Sequence, residues 1–245
     1  MEIYGAGSLE DVRICTELGV TGILTNPQGF EQYYKGEMTL VEICDALLKA
    51  SDDGRDIPLY MQVHGRDSEE IIDRVKELYA MNPKRVRGKI IANDKGLRAV
   101  KKLREDGILS VATCLFSVSQ AACAAMVGAE SICPFVTRAT AAGMDMYGII
   151  ASIKRGYKAL DEKYGEGRAP RILAASLKST ADVNDAFTAG TDAVALRYPL
   201  LKEMMNHILT TKAENLFLEN WENVKGEKER VQYRHELTKI SGIAE

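Results

Sequence analysis

The stretch Val86-Arg87-Gly88-Lys89-Ile90-Ile91-Ala92, then Asn93-Asp94, then Gly96-Leu97-Arg98-Ala99-Val100-Lys101-Lys102-Leu103, reads as a short apolar strand that turns into an amphipathic helix. A single lysine interrupts the apolar run. Lysine is seldom buried whole, and desolvation lowers its pKa toward neutrality. A neutral amine can attack a carbonyl and form a Schiff base. The plainer alternative is a strand-end lysine whose ammonium reaches water, and the neighbouring segments decide between the two.

The same strand–turn–helix unit recurs on both sides. Apolar runs stand at Glu2–Tyr4, Gly22–Thr25, Leu59–Val63, Gly88–Ile91, Leu109–Thr113, Ser131–Val136, Arg171–Ser176 and Ala193–Leu196. Helical patterns such as Ser68–Tyr79, Gly96–Glu105 and Met144–Tyr164 lie between them. Repeated strand, helix, strand predicts parallel βαβ units. Eight such units in one domain's length predict a TIM (β/α)8 barrel over residues 1–245. A doubly wound open sheet competes, but no GxGxxG follows the first strand. Beyond Pro199 come helical patterns at Leu200–Leu209 and Lys212–Val224, and residues 212–245 read as a C-terminal helical extension. Trp221 there suits either a contact surface or a core cover.

Composition narrows the function. The 245 residues are 46% hydrophobic and carry 32 basic against 35 acidic side chains, a net charge of −3 with the signs well mixed. That argues against a nucleic-acid partner. No apolar run reaches the roughly 18 residues of a membrane span. Met1-Glu2-Ile3-Tyr4-Gly5 lacks the basic and apolar regions of a signal peptide, so the expected location is the cytoplasm. Cys15, Cys44, Cys114, Cys123 and Cys133 lie in apolar stretches and are expected to be buried, reduced thiols. His64, His207 and His235 show no metal-ligand spacing, so neither a metal nor a cofactor is expected.

Polar residues gather at the C-terminal ends of the runs: Thr25 and Asn26, Gln62, Lys89, Thr113, Arg138, Ser176 and Arg197. In a barrel these ends converge on one mouth, where active sites are built. Thr25 or Ser176 alone could simply cap a helix. Together the set describes a polar, positively charged mouth suited to a hydroxylated, anionic small molecule.

These residues resemble the transaldolases, especially their short, fructose-6-phosphate-aldolase-like branch. The similarity runs from Met1 to about Trp221. It is carried by Thr25-Asn26-Pro27, Gln62, Lys89 with its spacing to Gly96-Leu97, Ala112-Thr113-Cys114-Leu115-Phe116-Ser117 with Gln120, Pro134-Phe135-Val136 with Arg138, and Ala174-Ala175-Ser176-Leu177-Lys178. The resemblance implies that Lys89 forms the imine with a ketose, while Thr113 and Gln62 hold the water that relays protons. Asn26 is then a hydroxyl-binding position for the dihydroxyacetone unit. Arg138 and Ser176 then face the substrate's terminal anion; beyond the resemblance, Lys178 and Arg197 are expected to help hold it. It also implies a homo-oligomer, pentameric or decameric, whose C-terminal helix reaches a neighbour.

Three departures shape the expectation. Ala6 stands where the family carries the first-strand aspartate that serves as acid–base for carbon–carbon cleavage. Phe135 stands where fructose-6-phosphate aldolases carry a tyrosine, which favours transfer of dihydroxyacetone over its release. Ile91 replaces the usual proline after the lysine, and Arg197-Tyr198 follows the eighth strand. The expected activity is a transaldolase that takes dihydroxyacetone from a ketose with an anion at C6. The best candidate donor is 6-deoxy-6-sulfofructose, releasing sulfolactaldehyde, and the acceptor is an aldehyde such as glyceraldehyde 3-phosphate. The alternatives are a fructose-6-phosphate aldolase or ordinary transaldolase on phosphosugars, and a catalytically silent sugar-phosphate-binding barrel. The substrate is small, and no nucleic acid or membrane is expected as a partner.

Overall fold

The computed structural model describes residues 2–224. Two compact units divide the chain, Met1–Leu201 and Lys202–Glu245. In the first, eight parallel strands close into a barrel in sequence order. They are β1 (Glu2–Ala6), β2 (Gly22–Leu24), β3 (Leu59–Gln62), β4 (Val86–Ile91), β5 (Ser110–Leu115), β6 (Ser131–Pro134), β7 (Arg171–Ala174) and β8 (Ala193–Arg197). The seam between β8 and β1 is continuous from Glu2↔Ala193 to Ala6↔Arg197. The fold is therefore the expected TIM barrel, and every strand-like run corresponds to a strand.

The helices follow the strands as the βα period requires. They are α1 (Leu9–Glu17), α2 (Pro27–Tyr34), α3 (Leu40–Ala50), α4 (Ser68–Met81), α5 (Asp94–Glu105), α6 (Val118–Met126), α7 (Val136–Ala141), α8 (Met146–Tyr164), α9 (Thr180–Thr188), α10 (Tyr198–Met204) and α11 (Ile208–Trp221). Most begin with a side chain that accepts a bond from the first-turn amides. Ser8, Asn26, Asp67, Asn93, Ser117 and Ser179 play this part for α1, α2, α4, α5, α6 and α9. Such a cap holds a helix start within a residue or two of its position. The strand ends just before the caps are thereby fixed at the mouth.

Alternation along each strand sorts the interior into layers. Tyr4, Leu24, Tyr60, Val111, Cys133, Leu173, Ala193 and Ala195 pack inside the barrel, with Phe135 and Ala175 above them. Below them a polar plug forms. Tyr60 Oη donates to Glu130 at 2.7 Å, Arg87 pairs with the same carboxylate, and the Arg87 guanidinium lies 6.0 Å from the Tyr60 ring centre. Two residues further along the same faces come Ala6, Gln62, Lys89 and Thr113. The period of two thus places the plug deep and Gln62, Lys89 and Thr113 toward the mouth.

Some sequence expectations need correction. Val136 opens α7 rather than ending β6, because Pro134 and Phe135 end the regular ladder. β1 extends past Tyr4 to Ala6. Cys15, Cys44 and Cys133 are buried, but Cys114 is only partly so and Cys123 is exposed. Cys123 lies on the outer face of α6, where Ala121 and Ala124 take the buried positions.

In the second unit, α11 begins at Ile208, earlier than the expected Lys212, and none of its residues is buried. Residues 225–245 of the expected extension lie outside the described residues. No helix among the described residues is long and apolar enough to cross a membrane.

Candidate active site

Lys89 sits in the second half of β4 with 1% of its surface exposed. Gly88 and Ile90 flank it, so alternation turns the lysine inward. Its Nζ donates to the Thr25 carbonyl at 2.7 Å and lies 5.5 Å from the centre of the Phe135 ring. The acceptor is a neutral carbonyl, so no carboxylate there stabilises the ammonium form. Burial accordingly lowers the Lys89 pKa, with the Cys133 and Cys114 thiols opposing and Arg138 adding to the shift. This is the environment that makes an amine nucleophilic.

Gln62 on β3 is the register partner of Lys89. On the other side, β5 pairs Thr113 with Ile91. Gln62 Oε1 and Thr113 Oγ1 are both sealed from solvent; Gln62 Oε1 has no partner among the described residues, and Thr113 Oγ1 has only the weak Cys133 thiol beside it. A buried acceptor and a buried hydroxyl so poorly partnered cost stability unless a ligand or water satisfies them. Thr25 supports the arrangement. Its Oγ1 donates to the Tyr60 carbonyl and accepts from the Gln62 amide, both at 2.9 Å, tying β2 to β3.

Asn26 follows β2 and caps α2, with Oδ1 accepting from Gly29 N at 2.8 Å. Its Nδ2 donors have no partner among the described residues. Asn26 and Thr25 line a cleft with Ala6, Gly7, Tyr34 and Arg197, in which the centre of a water molecule has about 20 Å3 to move. That is room for one ordered water, at the strand end where Ala6 offers no carboxylate. Gly7, at φ +134, starts the turn out of β1. The Tyr34 hydroxyl is buried and without a partner among the described residues.

Two exposed arginines stand over the mouth. Arg138 in α7 places its guanidinium 5.2 Å from the Phe135 ring centre and donates to Gln28 Oε1 at 3.1 Å. Arg197, the last residue of β8, lies 5.6 Å from the Tyr33 ring centre and reaches Gln32 Oε1 at 3.4 Å. Gln28 and Gln32 are one helical turn apart, so one face of α2 braces both guanidiniums. The Ser176 carbonyl accepts from Thr137 N at 3.1 Å, which sets it beside Arg138. Ser176 adopts φ +63, a conformation L-residues seldom take. Lys178 is exposed, and its ammonium has no hydrogen-bond or ion-pair partner among the described residues.

The structure thus brings together Lys89, Gln62, Thr113, Phe135, Arg138 and Ser176, with Asn26 and Arg197 on the cleft beside Ala6. Lys178 stays apart. Three contacts have no counterpart in the sequence reading: the Gln28 and Gln32 braces, and His64, whose Nε2 lies 3.1 Å from Gln62 Nε2. His64 follows Gln62 at the strand's own spacing of two, a signal that a search for metal-ligand patterns passes over. Among the described residues no group of three or more His, Cys, Asp or Glu side chains could hold a metal ion.

Comparison with known proteins identifies the family. The sequence pattern described as Transaldolase/Fructose-6-phosphate aldolase matches residues 9–240. A protein of Thermus thermophilus named "Probable transaldolase" is 30% identical over 229 residues, covering 92% of this chain and all of its own. One of the same name from Bacteroides thetaiotaomicron is 30% identical over 228 residues, covering 89% of this chain and 96% of its own. Among solved structures, thiamine phosphate pyrophosphorylase from Pyrococcus furiosus superposes with a TM-score of 0.54 at 14% identity, over 80% of this chain and 84% of that one. The flavin-binding domain of baker's yeast flavocytochrome b2 gives 0.54 at 13%, over 80% and 57%. Those two likenesses are of barrel to barrel. The full-length sequence matches carry the family: this chain belongs to the transaldolase/fructose-6-phosphate aldolase family.

Proposed function

We propose that the protein is a Schiff-base transaldolase moving dihydroxyacetone from a ketose with an anion at C6 to an aldehyde. The observation that carries the reading is Lys89, buried at the barrel mouth with a carbonyl as its acceptor and a lowered pKa. Its neutral Nζ attacks the ketose C2, and the carbinolamine loses water to give an iminium. The proton transfers in that step run through a water held between Gln62 Oε1 and Thr113 Oγ1. The iminium then accepts the electron pair of the C3–C4 bond as the C4 hydroxyl gives up its proton. An aldehyde leaves, and the dihydroxyacetone enamine stays on Lys89. A second aldehyde reverses these steps, and hydrolysis frees the lysine.

Ala6 cannot take the C4 proton, so in this reading a water in the cleft beside it does. Phe135 offers no phenol to protonate the enamine, which therefore waits for an acceptor. Arg138 and Arg197 hold the terminal anion, since a guanidinium presents paired donors to an oxyanion. A sulfonate carries one negative charge where a phosphate carries nearly two. Two braced forks with Ser176 suit 6-deoxy-6-sulfofructose as donor, glyceraldehyde 3-phosphate serving as acceptor. The same reading includes a pentameric or decameric homo-oligomer; exposed Leu216, Phe217 and Leu218 on α11 support a contact role for that helix.

The test is a product analysis. The protein is incubated with 6-deoxy-6-sulfofructose or fructose 6-phosphate, with and without glyceraldehyde 3-phosphate, and the products are identified by mass spectrometry. The expected result is acceptor-dependent formation of sulfolactaldehyde, with fructose 6-phosphate the poorer donor. Turnover of fructose 6-phosphate alone would mark an aldolase. No turnover with any donor, together with binding, would mark a silent barrel.

A further inference from the structure

We infer that His64 is a positioning residue for this chemistry: its unprotonated Nε2 holds the Gln62 amide with Oε1 in the site shared by Lys89 and Thr113, and protonation of the ring turns that amide over. The inference rests on the Schiff-base reading and adds a residue and a pH dependence to it.

The argument begins with the inventory of donors. Gln62 Nε2 lies 3.1 Å from His64 Nε2. An amide nitrogen only donates, so the ring nitrogen facing it must carry a lone pair, and the ring proton sits on Nδ1. The amide oxygen then occupies the opposite edge, where Gln62 Oε1 is buried and without a partner among the described residues. Thr113 Oγ1 is likewise buried, with only the weak Cys133 thiol beside it. One acceptor and one hydroxyl can hold a water with a hydrogen directed outward and a lone pair directed at the lysine. An imidazolium has no lone pair to accept with. Its Nε2–H would instead donate to the amide oxygen, and the NH2 group would swing into the site. The site would exchange an acceptor for a donor, and the water could no longer be held in the same sense.

The surroundings keep the ring neutral. His64 lies two residues past the end of β3 with its ring partly covered, and the charged groups facing it are Lys95 from α5, Arg74 from α4 and Lys89 from β4. Lys95 Nζ is held on the adjoining loop by the Gly65 carbonyl at 2.6 Å and the Arg66 carbonyl at 3.1 Å. Arg74 is partly compensated by Glu70 at 2.6 Å. Partial burial and these cations lower the His64 pKa from its ordinary value. The amide therefore keeps its orientation at neutral pH and loses it only in acid.

Two measurements test the inference on the full chain. 15N NMR of labelled protein resolves the imidazoles of His64, His207 and His235, and the signals missing from His64→Gln identify those of His64. At mildly alkaline pH the expected tautomer has Nδ1 protonated and Nε2 bare; a ring protonated at Nε2 overturns the inference. The second measurement is the pH dependence of adduct formation with fructose 6-phosphate and cyanoborohydride, followed by intact mass. Two groups, Lys89 and His64, must be unprotonated in the natural protein, so the logarithm of the rate falls with a slope of about two in acid. His64→Gln keeps an acceptor for the Gln62 amide but cannot titrate, and its slope is about one. Equal slopes overturn the inference. No adduct in either protein at any pH overturns the Schiff-base reading itself, and with it any catalytic consequence of this contact.

Discussion

In the proposed function Lys89 combines a functional gain with a stability cost, and the sign of each can be worked out. Its folded pKa is lowered by burial, while in the unfolded chain it keeps the ordinary value of about 10.4. Between the two, the unfolded state binds the extra proton, so stability rises with pH across that window and the full cost is present below the folded pKa. Lys89→Met should therefore abolish activity yet stabilise the fold at neutral pH by about 1–2 kcal/mol, read as a higher Tm, with the gain vanishing in strong alkali. A lower Tm at neutral pH would mean the lysine's bond to Thr25 outweighs its desolvation. Arg138 presents the opposite case, an exposed charge that the proposed function assigns to the ligand's anion. Losing a charge-assisted contact costs about 1.5–3 kcal/mol, so Arg138→Ala should weaken use of an anionic ketose by tens of fold in kcat/KM. Neutral dihydroxyacetone should be affected far less as a donor; equal loss for both donors would make Arg138 structural.

At the scale of the element, each strand end is fixed by the helix start behind it. Asn93 caps α5 by accepting from Gly96 N at 3.0 Å, and a Cβ on Gly96 would collide with the Ile91 carbonyl. The helix thus rests directly on the end of β4, two residues past the lysine. Gly96→Ala should cost about 1–3 kcal/mol through overpacking and should lower kcat, because β4 must shift. Denaturant unfolding and steady-state rates together check this; a neutral effect on both would show that the contact is slack. Much of this was legible in the sequence. The apolar runs, the lysine in one of them and the polar strand ends follow from period and residue type. Contacts between distant segments did not follow. Gln28 and Gln32 show no pattern until β6 and β8 bring Arg138 and Arg197 against α2. The Tyr60, Arg87 and Glu130 plug likewise needs β3, β4 and the turn before β6 to meet. The exposure of Cys123 was hidden because an alanine-rich helix has little polar contrast to mark its outer face.

At the largest scale, the unit Met1–Leu201 is a closed barrel whose mouth collects one contribution from almost every strand, so any chemistry there depends on which contributions are present together. Ala6 on β1 and Phe135 after β6 both lack a proton donor. The enamine on Lys89 should then outlast each donor cleavage, and turnover without an acceptor should be a small fraction of turnover with one. Phe135→Tyr would restore a hydroxyl near the enamine and should raise acceptor-independent release of dihydroxyacetone, measured by a coupled assay. Release as fast without acceptor as with it in the natural protein would make this an aldolase. All of these outcomes presuppose a covalent intermediate on one lysine. The most direct test is to incubate the protein with fructose 6-phosphate or 6-deoxy-6-sulfofructose, reduce with borohydride, and map the adduct by peptide mass spectrometry. The expected result is a reduced dihydroxyacetone adduct on Lys89 and none in Lys89→Arg, whose guanidinium stays protonated. An adduct on Lys95 or Lys178, or no adduct at all, would contradict the account.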